Sequence, residues 1–215
     1  MIIITGASSG VGKSLAKLYK ESGKKVVNIS RRECEYADVN ICLSLREGHQ
    51  IKKAAQQILA MNEPIDALVN AVGVWGDEPF GEITEDEVKR LMSTNLKAPL
   101  LLTSELFLSL KKYESDILNI VSTAGTRGRP ESPLYAASKW AERGYTKSLQ
   151  EELKTTKCRV ISFCPGGMNT DFFKSGKKNI DTSNWMDPKD IAQFIKQILD
   201  LPKNIEVSEI ILNRK

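Results

Sequence analysis

Short apolar runs alternate with longer segments of mixed polarity along the whole chain. In the longer segments apolar residues recur every three or four positions, which is typical of amphipathic helices, whereas the short runs have the length of buried strands. Parallel strands covered on both faces read as continuous apolar runs, and the connections between them are usually helices. The pattern therefore predicts an α/β fold with a doubly wound (Rossmann) parallel sheet of about seven strands and helices on both faces.

One segment, residues 167–186, lacks this periodicity and reads as a loop that would contact the substrate. It carries Phe172, Phe173 and Trp185, which could either line a substrate pocket or anchor the loop on the core, and both interpretations stay open. The predicted strands cover residues 2–4, 25–29, 41–43, 67–69, 117–121, 159–163 and 209–212. The predicted helices cover residues 13–22, 48–61, 85–112, 134–155 and 188–199.

Length and composition favour one domain over residues 1–215. The 31 basic and 27 acidic residues leave a net charge of +4, a surplus too small and too scattered to indicate nucleic acid as a partner. The four cysteines lack the spacing of a metal site and read as buried thiols in a reducing compartment. With no room for a signal peptide before Gly6 and no apolar stretch of membrane-spanning length, we expect a cytoplasmic protein that binds neither metal nor membrane.

A glycine-rich segment at residues 5–12 follows the first predicted strand and opens the first helix. Glycines allow a tight turn there, and the free N–H groups of the helix start attract a phosphate. Two interpretations compete, because residues 7–14 also fit a relaxed P-loop pattern with Ala7 in place of the first glycine. A P-loop protein would need a strand ending in a magnesium-binding Asp, and the strands here end at Asn70, Ser122 and Cys164. A nucleotide phosphate is the expected ligand in either case.

Tyr135 and Lys139 lie four residues apart in a predicted helix, so both side chains project from one face. A free phenol has a pKa of about 10, and a cation beside it favours the phenolate and brings the group towards proton exchange at neutral pH. Taken alone the pair is weak evidence, because a half-buried Tyr with a solvated Lys arises often by chance.

The order of several motifs changes that weighting. The chain carries, in this order, residues 5–12, residues 70–73 (Asn-Ala-Val-Gly), Asn95, Ser122 and the pair of Tyr135 with Lys139. In this order and spacing the chain resembles the short-chain dehydrogenase/reductase family over nearly its whole length. Pro165-Gly166 after a further strand completes the resemblance.

The chain departs from the family's pattern at two points. Val72 stands where the family commonly has Ala, a change that should leave the turn intact. The family's Asp after the third strand has no clear counterpart beyond Leu43 and Ser44, so we expect backbone and apolar contacts to hold the adenine.

The resemblance implies a role for each matched residue. Tyr135 would exchange a proton with the substrate oxygen, and Ser122 would hydrogen-bond that oxygen. Lys139 would hold the nicotinamide ribose and lower the pKa of Tyr135, while Asn95 would place a water that links Lys139 to solvent. The implied cofactor-binding residues are Gly6, Ser8, Ser9, Gly10, Val11, Gly12, Arg31, Asn70, Ala71, Gly73, Tyr135, Lys139, Pro165, Gly166 and Thr170.

The end of the second strand predicts which nicotinamide cofactor is used. An NAD-preferring site places a carboxylate there to bind the adenosine ribose, but this chain has Ser30 followed by Arg31. A guanidinium can bind a 2′-phosphate through two charge-assisted hydrogen bonds, and Ser8 could add a donor. The sequence thus favours NADP(H), with NAD(H) possible.

Two functions of different class remain open: an NADP(H)-dependent carbonyl reductase or alcohol dehydrogenase, and a regulatory or scaffold protein of the same fold without turnover. Residues 73–81, 123–133 and 167–186 should surround a small-molecule substrate, anything from a simple ketone to a small acid, beside Arg127, Arg129 and Lys174. A homodimer or homotetramer through helices 85–112 and 134–155 is expected from surplus apolar residues. These are Leu100, Leu101, Leu102, Leu106 and Leu110.

Overall fold

A parallel sheet of seven strands in the order β3-β2-β1-β4-β5-β6-β7 forms the centre of the computed structural model, which describes residues 1–177 and 180–215. All six strand pairs are parallel, as predicted. The predicted strand bounds are correct to within two residues. The strands are β1 (Ile2–Thr5), β2 (Val26–Ser30), β3 (Val39–Cys42), β4 (Ala67–Asn70), β5 (Asp116–Ile120), β6 (Arg159–Pro165) and β7 (Glu209–Leu212).

Helices cover both faces of the sheet. Because side chains alternate along a strand, Ile3 packs into one apolar cluster with α2 and α4, while Ile2 and Ile4 pack into another with α1 and α6. Both faces are thereby buried, which confirms the predicted α/β architecture. The helices are α1 (Gly10–Glu21), α2 (Gly48–Ala60), α3 (Glu85–Met92), α4 (Ala98–Lys112), α5 (Pro133–Leu153) and α6 (Pro188–Leu199). Within the described ranges, no helix is long and apolar enough to cross a membrane.

Residues 85–112 are helical throughout, as predicted, but the helix is not α-helical along its whole length. A π-helical turn at Ser93–Lys97 separates α3 from α4. Pro99, in the first turn of α4, has no N–H to donate to the carbonyl of Asn95 four residues earlier, so the regular α-helical ladder is interrupted there. The interruption falls on Asn95, one of the predicted site residues.

The topology also determines where a ligand can bind. The chain leaves β1 towards β2 and β3 on one side, and the later strands continue from β4 on the other side. In open parallel sheets the crevice beyond the carboxyl ends of the strands, at such a reversal, is the usual binding position. Thr5, Asn70 and Pro165 end their strands on this edge.

Candidate active site

A cavity of about 880 Å³ opens at the carboxyl edge of the sheet. Its size suits a cofactor or a drug-sized ligand. Two of the predicted site residues, Asn70 and Asn95, lie behind its wall. The predicted site residues that line the cavity are Gly6, Ser8, Ser9, Gly10, Val11, Gly12, Arg31, Ala71, Gly73, Ser122, Tyr135, Lys139, Pro165, Gly166 and Thr170.

The glycine-rich loop is built for close backbone approach. Gly6 and Gly10 have φ angles of 74° and 55°, a region that side chains rarely allow. A Cβ on Gly12 would lie 2.7 Å from the carbonyl oxygen of Gly6. Helix α1 starts at Gly10 without a side-chain cap from Ser9 and without an acidic residue in its first turn. Its first N–H groups are therefore available to an anion in the cavity.

Replacing Gly12 with Ala should open this loop. The clash is with backbone atoms, which cannot move aside cheaply. An overpacking cost of about 1–3 kcal/mol borne by the phosphate cradle would correspond to a loss of roughly five- to 150-fold in affinity for the expected dinucleotide. The matched control is Gly48→Ala at the start of α2, where an added Cβ meets nothing within 4 Å. Fluorescence titration with NADPH would measure both variants. Wild-type affinity in Gly12→Ala would contradict this interpretation of the loop.

Tyr135 and Lys139 on α5 both line the cavity, and both are buried. The Nζ atom of Lys139 donates to the backbone oxygen of Ile120 at 2.9 Å and to the carboxylate of Glu142 at 2.6 Å. Burial raises the pKa of Tyr135 above its ordinary value, while the charge of Lys139 and a hydrogen bond from Ser122 act in the opposite direction. The phenol therefore stays protonated at neutral pH in the protein without ligand.

Ser122 and Asn95 are held by local hydrogen bonds. Ser122 lies just beyond β5, and its Oγ accepts from the N–H of Ala124 at 3.0 Å. Asn95 fixes the backbone of Val74 on both sides, since its Oδ1 accepts from that N–H at 2.8 Å and its Nδ2 donates to that carbonyl at 3.0 Å. The same Nδ2 donates to Ser138 on α5 at 3.0 Å. Asn95 thus ties the π-helical turn to both the cavity wall and the helix of Tyr135.

Asn70 has a comparable supporting position at the end of β4. Its Nδ2 donates to Asn119 Oδ1 at 2.8 Å and to Thr103 Oγ1 at 3.3 Å, inside the protein. The neighbouring turn is joined to the glycine-rich loop, because Thr5 Oγ1 accepts from the N–H groups of Ala71 and Val72. On the other side of that loop, Thr170 packs against Gly10.

Aromatic rings form one wall beside Tyr135. The ring of Trp75 lies 4.6 Å from that of Tyr135 and 5.0 Å from that of Phe173, centroid to centroid. Phe172 lies 6.0 Å from Tyr135, and Trp185 lies 4.8 Å from Phe173. The predicted loop over residues 167–186 includes residues 178 and 179, which lie outside the described residues. Its described part contains a 3₁₀ turn at Asp171–Ser175. Phe172, Phe173 and Trp185 all line the cavity, and Phe172 also packs against a buried cluster that contains Tyr135.

The far end of the cavity, beyond β2 and β3, is basic. The hydroxyl of Ser30 donates to the backbone oxygen of Arg32 at 2.6 Å, forming a tight turn with an exposed Arg31 at its tip. Among residues 1–177 and 180–215, neither Arg31 nor Arg32 forms an ion pair with an acidic side chain. Leu43 and Ser44 line this end as well.

Sequence reasoning missed several residues that line the cavity or contact its candidate catalytic side chains. Arg46 lies just after the third strand, and Asn213 and Arg214 follow the last strand. Their positions after carboxyl ends of strands were a usable signal. Glu142 was also missed, although its spacing of three from Lys139 places both on one helix face.

Known proteins resemble this one in sequence and in structure. A sequence model of the short chain dehydrogenase family matches residues 1–181. An uncharacterised oxidoreductase of Staphylococcus saprophyticus is 29% identical over 222 residues, covering 97% of this chain and 94% of the relative. An alcohol dehydrogenase of the archaeon Thermococcus sibiricus, complexed with 5-hydroxy-NADP, has a TM-score of 0.88 at 23% identity and covers 99% of this chain and 95% of its own.

A further solved structure is a 4-hydroxyisoleucine dehydrogenase complexed with NADH and succinate. It has a TM-score of 0.83 at 27% identity, covering 99% of this chain and 97% of its own. The likeness at 23% identity shows the fold alone, whereas the family match extends over most of the chain. The chain thus belongs to the short-chain dehydrogenase/reductase family of oxidoreductases, with the NAD(P)-binding Rossmann fold of that family.

Proposed function

We propose that the protein transfers a hydride between NADP(H) and a carbonyl or alcohol substrate, with Tyr135 as general acid and base. The observation that carries the proposal is that Ser122, Tyr135 and Lys139 line one cavity together with the uncapped start of α1. A proton donor and a phosphate cradle in one cavity are what such a reaction requires. Family membership favours the dinucleotide interpretation of the glycine-rich segment over the P-loop interpretation.

The residues present fit a nicotinamide dinucleotide. The cradle where Gly12 approaches Gly6 suits a diphosphate, and Arg31 and Thr170 line the same cavity. When bound, the nicotinamide supplies or accepts a hydride. The ammonium of Lys139, buried beside Gly73, has two acceptors in the protein and can donate a third hydrogen bond to a ribose hydroxyl.

The chain's own groups would handle the proton. In reduction, the phenol of Tyr135 donates its proton to the carbonyl oxygen of the substrate. In oxidation, the phenolate accepts the proton of the substrate hydroxyl. The hydroxyl of Ser122 hydrogen-bonds the same oxygen and fixes its position. The aromatic wall of Trp75, Phe172 and Phe173 keeps water away from the reacting atoms and offers flat apolar surface to the substrate.

The direct test is NADPH oxidation with a panel of carbonyl compounds: aliphatic ketones, aromatic ketones and keto acids. The panel includes acids because Arg127, Arg129 and Lys174 line the cavity, and because the 4-hydroxyisoleucine dehydrogenase structure contains succinate. We expect measurable turnover with at least one class. NADPH binding without turnover across the whole panel would instead favour a regulatory or scaffold protein.

We further propose a homodimer or homotetramer through α4 and α5. Of the predicted surplus leucines, Leu102, Leu106 and Leu110 are fully buried in the core and cannot contact a partner. Exposed apolar surface remains at Leu108, which is 81% exposed, and at Trp140, which is 46% exposed. Large exposed apolar residues on neighbouring helices are typical of subunit contacts.

Light scattering at micromolar concentration should give two or four times the mass of one chain. Leu108→Glu should lower that mass, because a charge cannot be buried without a partner. Leu59→Glu is the control, since Leu59 is 44% exposed on α2, outside the two helices of the proposed interface. A single-chain mass for the unmutated protein would end the proposal.

A further inference from the structure

A carboxylate, that of Glu142, lies buried directly behind the catalytic pair. Glu142 is 1% exposed and Lys139 is 2% exposed. One carboxylate oxygen lies 2.6 Å from the Nζ atom of Lys139. Building a charged group into the interior costs several kcal/mol of desolvation, so such a group is either paired for structure or used for function.

We propose that Glu142 is a positioning residue for the oxidoreduction proposed above: its carboxylate holds Lys139 and offsets the ammonium charge that faces Tyr135, and thereby sets the pH range in which Tyr135 exchanges its proton. The inference rests on the proposed function. It concerns a residue that does not itself line the cavity.

The helix geometry makes this arrangement possible. Glu142 follows Lys139 by three residues and Tyr135 by seven, so all three project from one face of α5. Glu142 and the carbonyl of Ile120 hold the ammonium between them, and the remaining N–H of Lys139 is free to face the cavity. The position of Lys139 is therefore determined before any cofactor binds.

The charge balance follows from the same contacts. A lone ammonium next to Tyr135 would favour the phenolate and lower the pKa of the phenol. Glu142 opposes that effect and raises the pKa of Tyr135. The other groups that act on Tyr135 and Lys139 are Arg129, in the segment before α5, and the thiol of Cys164 on β6.

The pKa of the carboxylate is itself shifted by its burial beside Lys139. Burial raises the pKa of Glu142 to about 7, against the attraction of Lys139. Only the ionised carboxylate compensates the ammonium, whereas a neutral Glu142 would leave the ammonium charge uncompensated. Glu142 also raises the pKa of Tyr145, one turn further along the helix, although burial is the larger cause there.

The test is Glu142→Gln, which keeps an amide oxygen for Lys139 but removes the charge. For alcohol oxidation kcat/KM increases with pH as Tyr135 ionises. In Glu142→Gln this increase should begin at a lower pH, with its midpoint shifted down by about one pH unit or more. Glu152→Gln is the matched control, because Glu152 is exposed on the same helix and should leave the midpoint unchanged. An unshifted midpoint in Glu142→Gln, or a loss of rate that is equal at every pH, would overturn the proposal.

A second readout needs no substrate and keeps failure of this inference distinct from failure of the proposed function. Tyrosinate absorbance is titrated upwards from about pH 7 to well beyond the ordinary phenol pKa of about 10, because the pKa of Tyr135 is raised above that value. The contribution of Tyr135 is obtained by subtracting the titration curve of Tyr135→Phe from that of the wild type. The same difference is then taken between Glu142→Gln and the double variant Glu142→Gln with Tyr135→Phe. Tyr135 should ionise at lower pH with Glu142→Gln, and identical curves would overturn the proposal even if no substrate is found. If Glu142→Gln fails to fold, Glu142→Asp is the substitute, because the shorter side chain moves the negative charge away from Lys139 and Tyr135. The pKa of Tyr135 should then shift in the same direction by a smaller amount. An unshifted pKa would overturn the proposal.

Discussion

Tyr135→Phe should lower kcat/KM by about a hundred- to ten-thousandfold, the contribution expected of a positioned general acid and base. The ring would still pack against Trp75 and Phe172, but it would have no proton to transfer. Affinity for NADPH should stay within a few-fold of wild type, because the phosphate loop and Lys139 are untouched. Steady-state kinetics with the best substrate of the panel, together with NADPH titration, would measure both quantities.

Tyr145→Phe is the matched control, since it removes a hydroxyl from the same helix outside the cavity. It should retain most of the activity. If Tyr135→Phe kept more than about a tenth of the wild-type rate, the loss would fall below the hundredfold expected and the acid would have to lie elsewhere. A loss of NADPH affinity in parallel with the rate would point to a structural effect of the substitution.

Much of the fold could be predicted because the sheet is covered on both faces. A strand such as β1 is fully buried and reads as an uninterrupted apolar run, which the amphipathic helices around it do not. The interruption of the helix over residues 85–112 was harder to predict, because the apolar periodicity continues through it. Pro99 was the available signal, and its effect falls on Asn95, four residues earlier.

The site was predicted where its residues belong to short, ordered motifs, and missed where it depends on contacts distant in sequence. The N–H of Trp75 donates to the hydroxyl of Ser175, a hundred residues away, at 2.8 Å. No local pattern indicates that contact, and it joins the two segments that carry the aromatic wall. Glu142 was missed for another reason: a Glu in a helix is usually solvated, and its burial depends on how α5 packs against the sheet.

The basic end of the cavity leads to the second large prediction, a preference for NADP(H) over NAD(H) that depends on Arg31. The turn closed by Ser30 and Arg32 leaves the guanidinium of Arg31 exposed at the cavity rim, where an NAD-preferring site would have a carboxylate. Charge-assisted hydrogen bonds to a 2′-phosphate contribute about 1.5–3 kcal/mol, or roughly ten- to more than a hundredfold in affinity. Arg46 lines the same end and could supply a further contact.

The measurement is the ratio of kcat/KM with NADPH to that with NADH, before and after Arg31→Ala. The ratio should fall by at least about tenfold in the variant. The change should come mainly from a lower kcat/KM with NADPH, because NADH has no 2′-phosphate for Arg31 to bind. Arg127→Ala is the control, since Arg127 lines the cavity in the segment after β5, which is expected to contact the substrate, and its loss should leave the ratio unchanged. Equal use of both cofactors by the unmutated protein, or a preference untouched by the loss of Arg31, would contradict the assignment. A preference that survives Arg31→Ala but is lost in Arg46→Ala would move the phosphate contact to the end of β3.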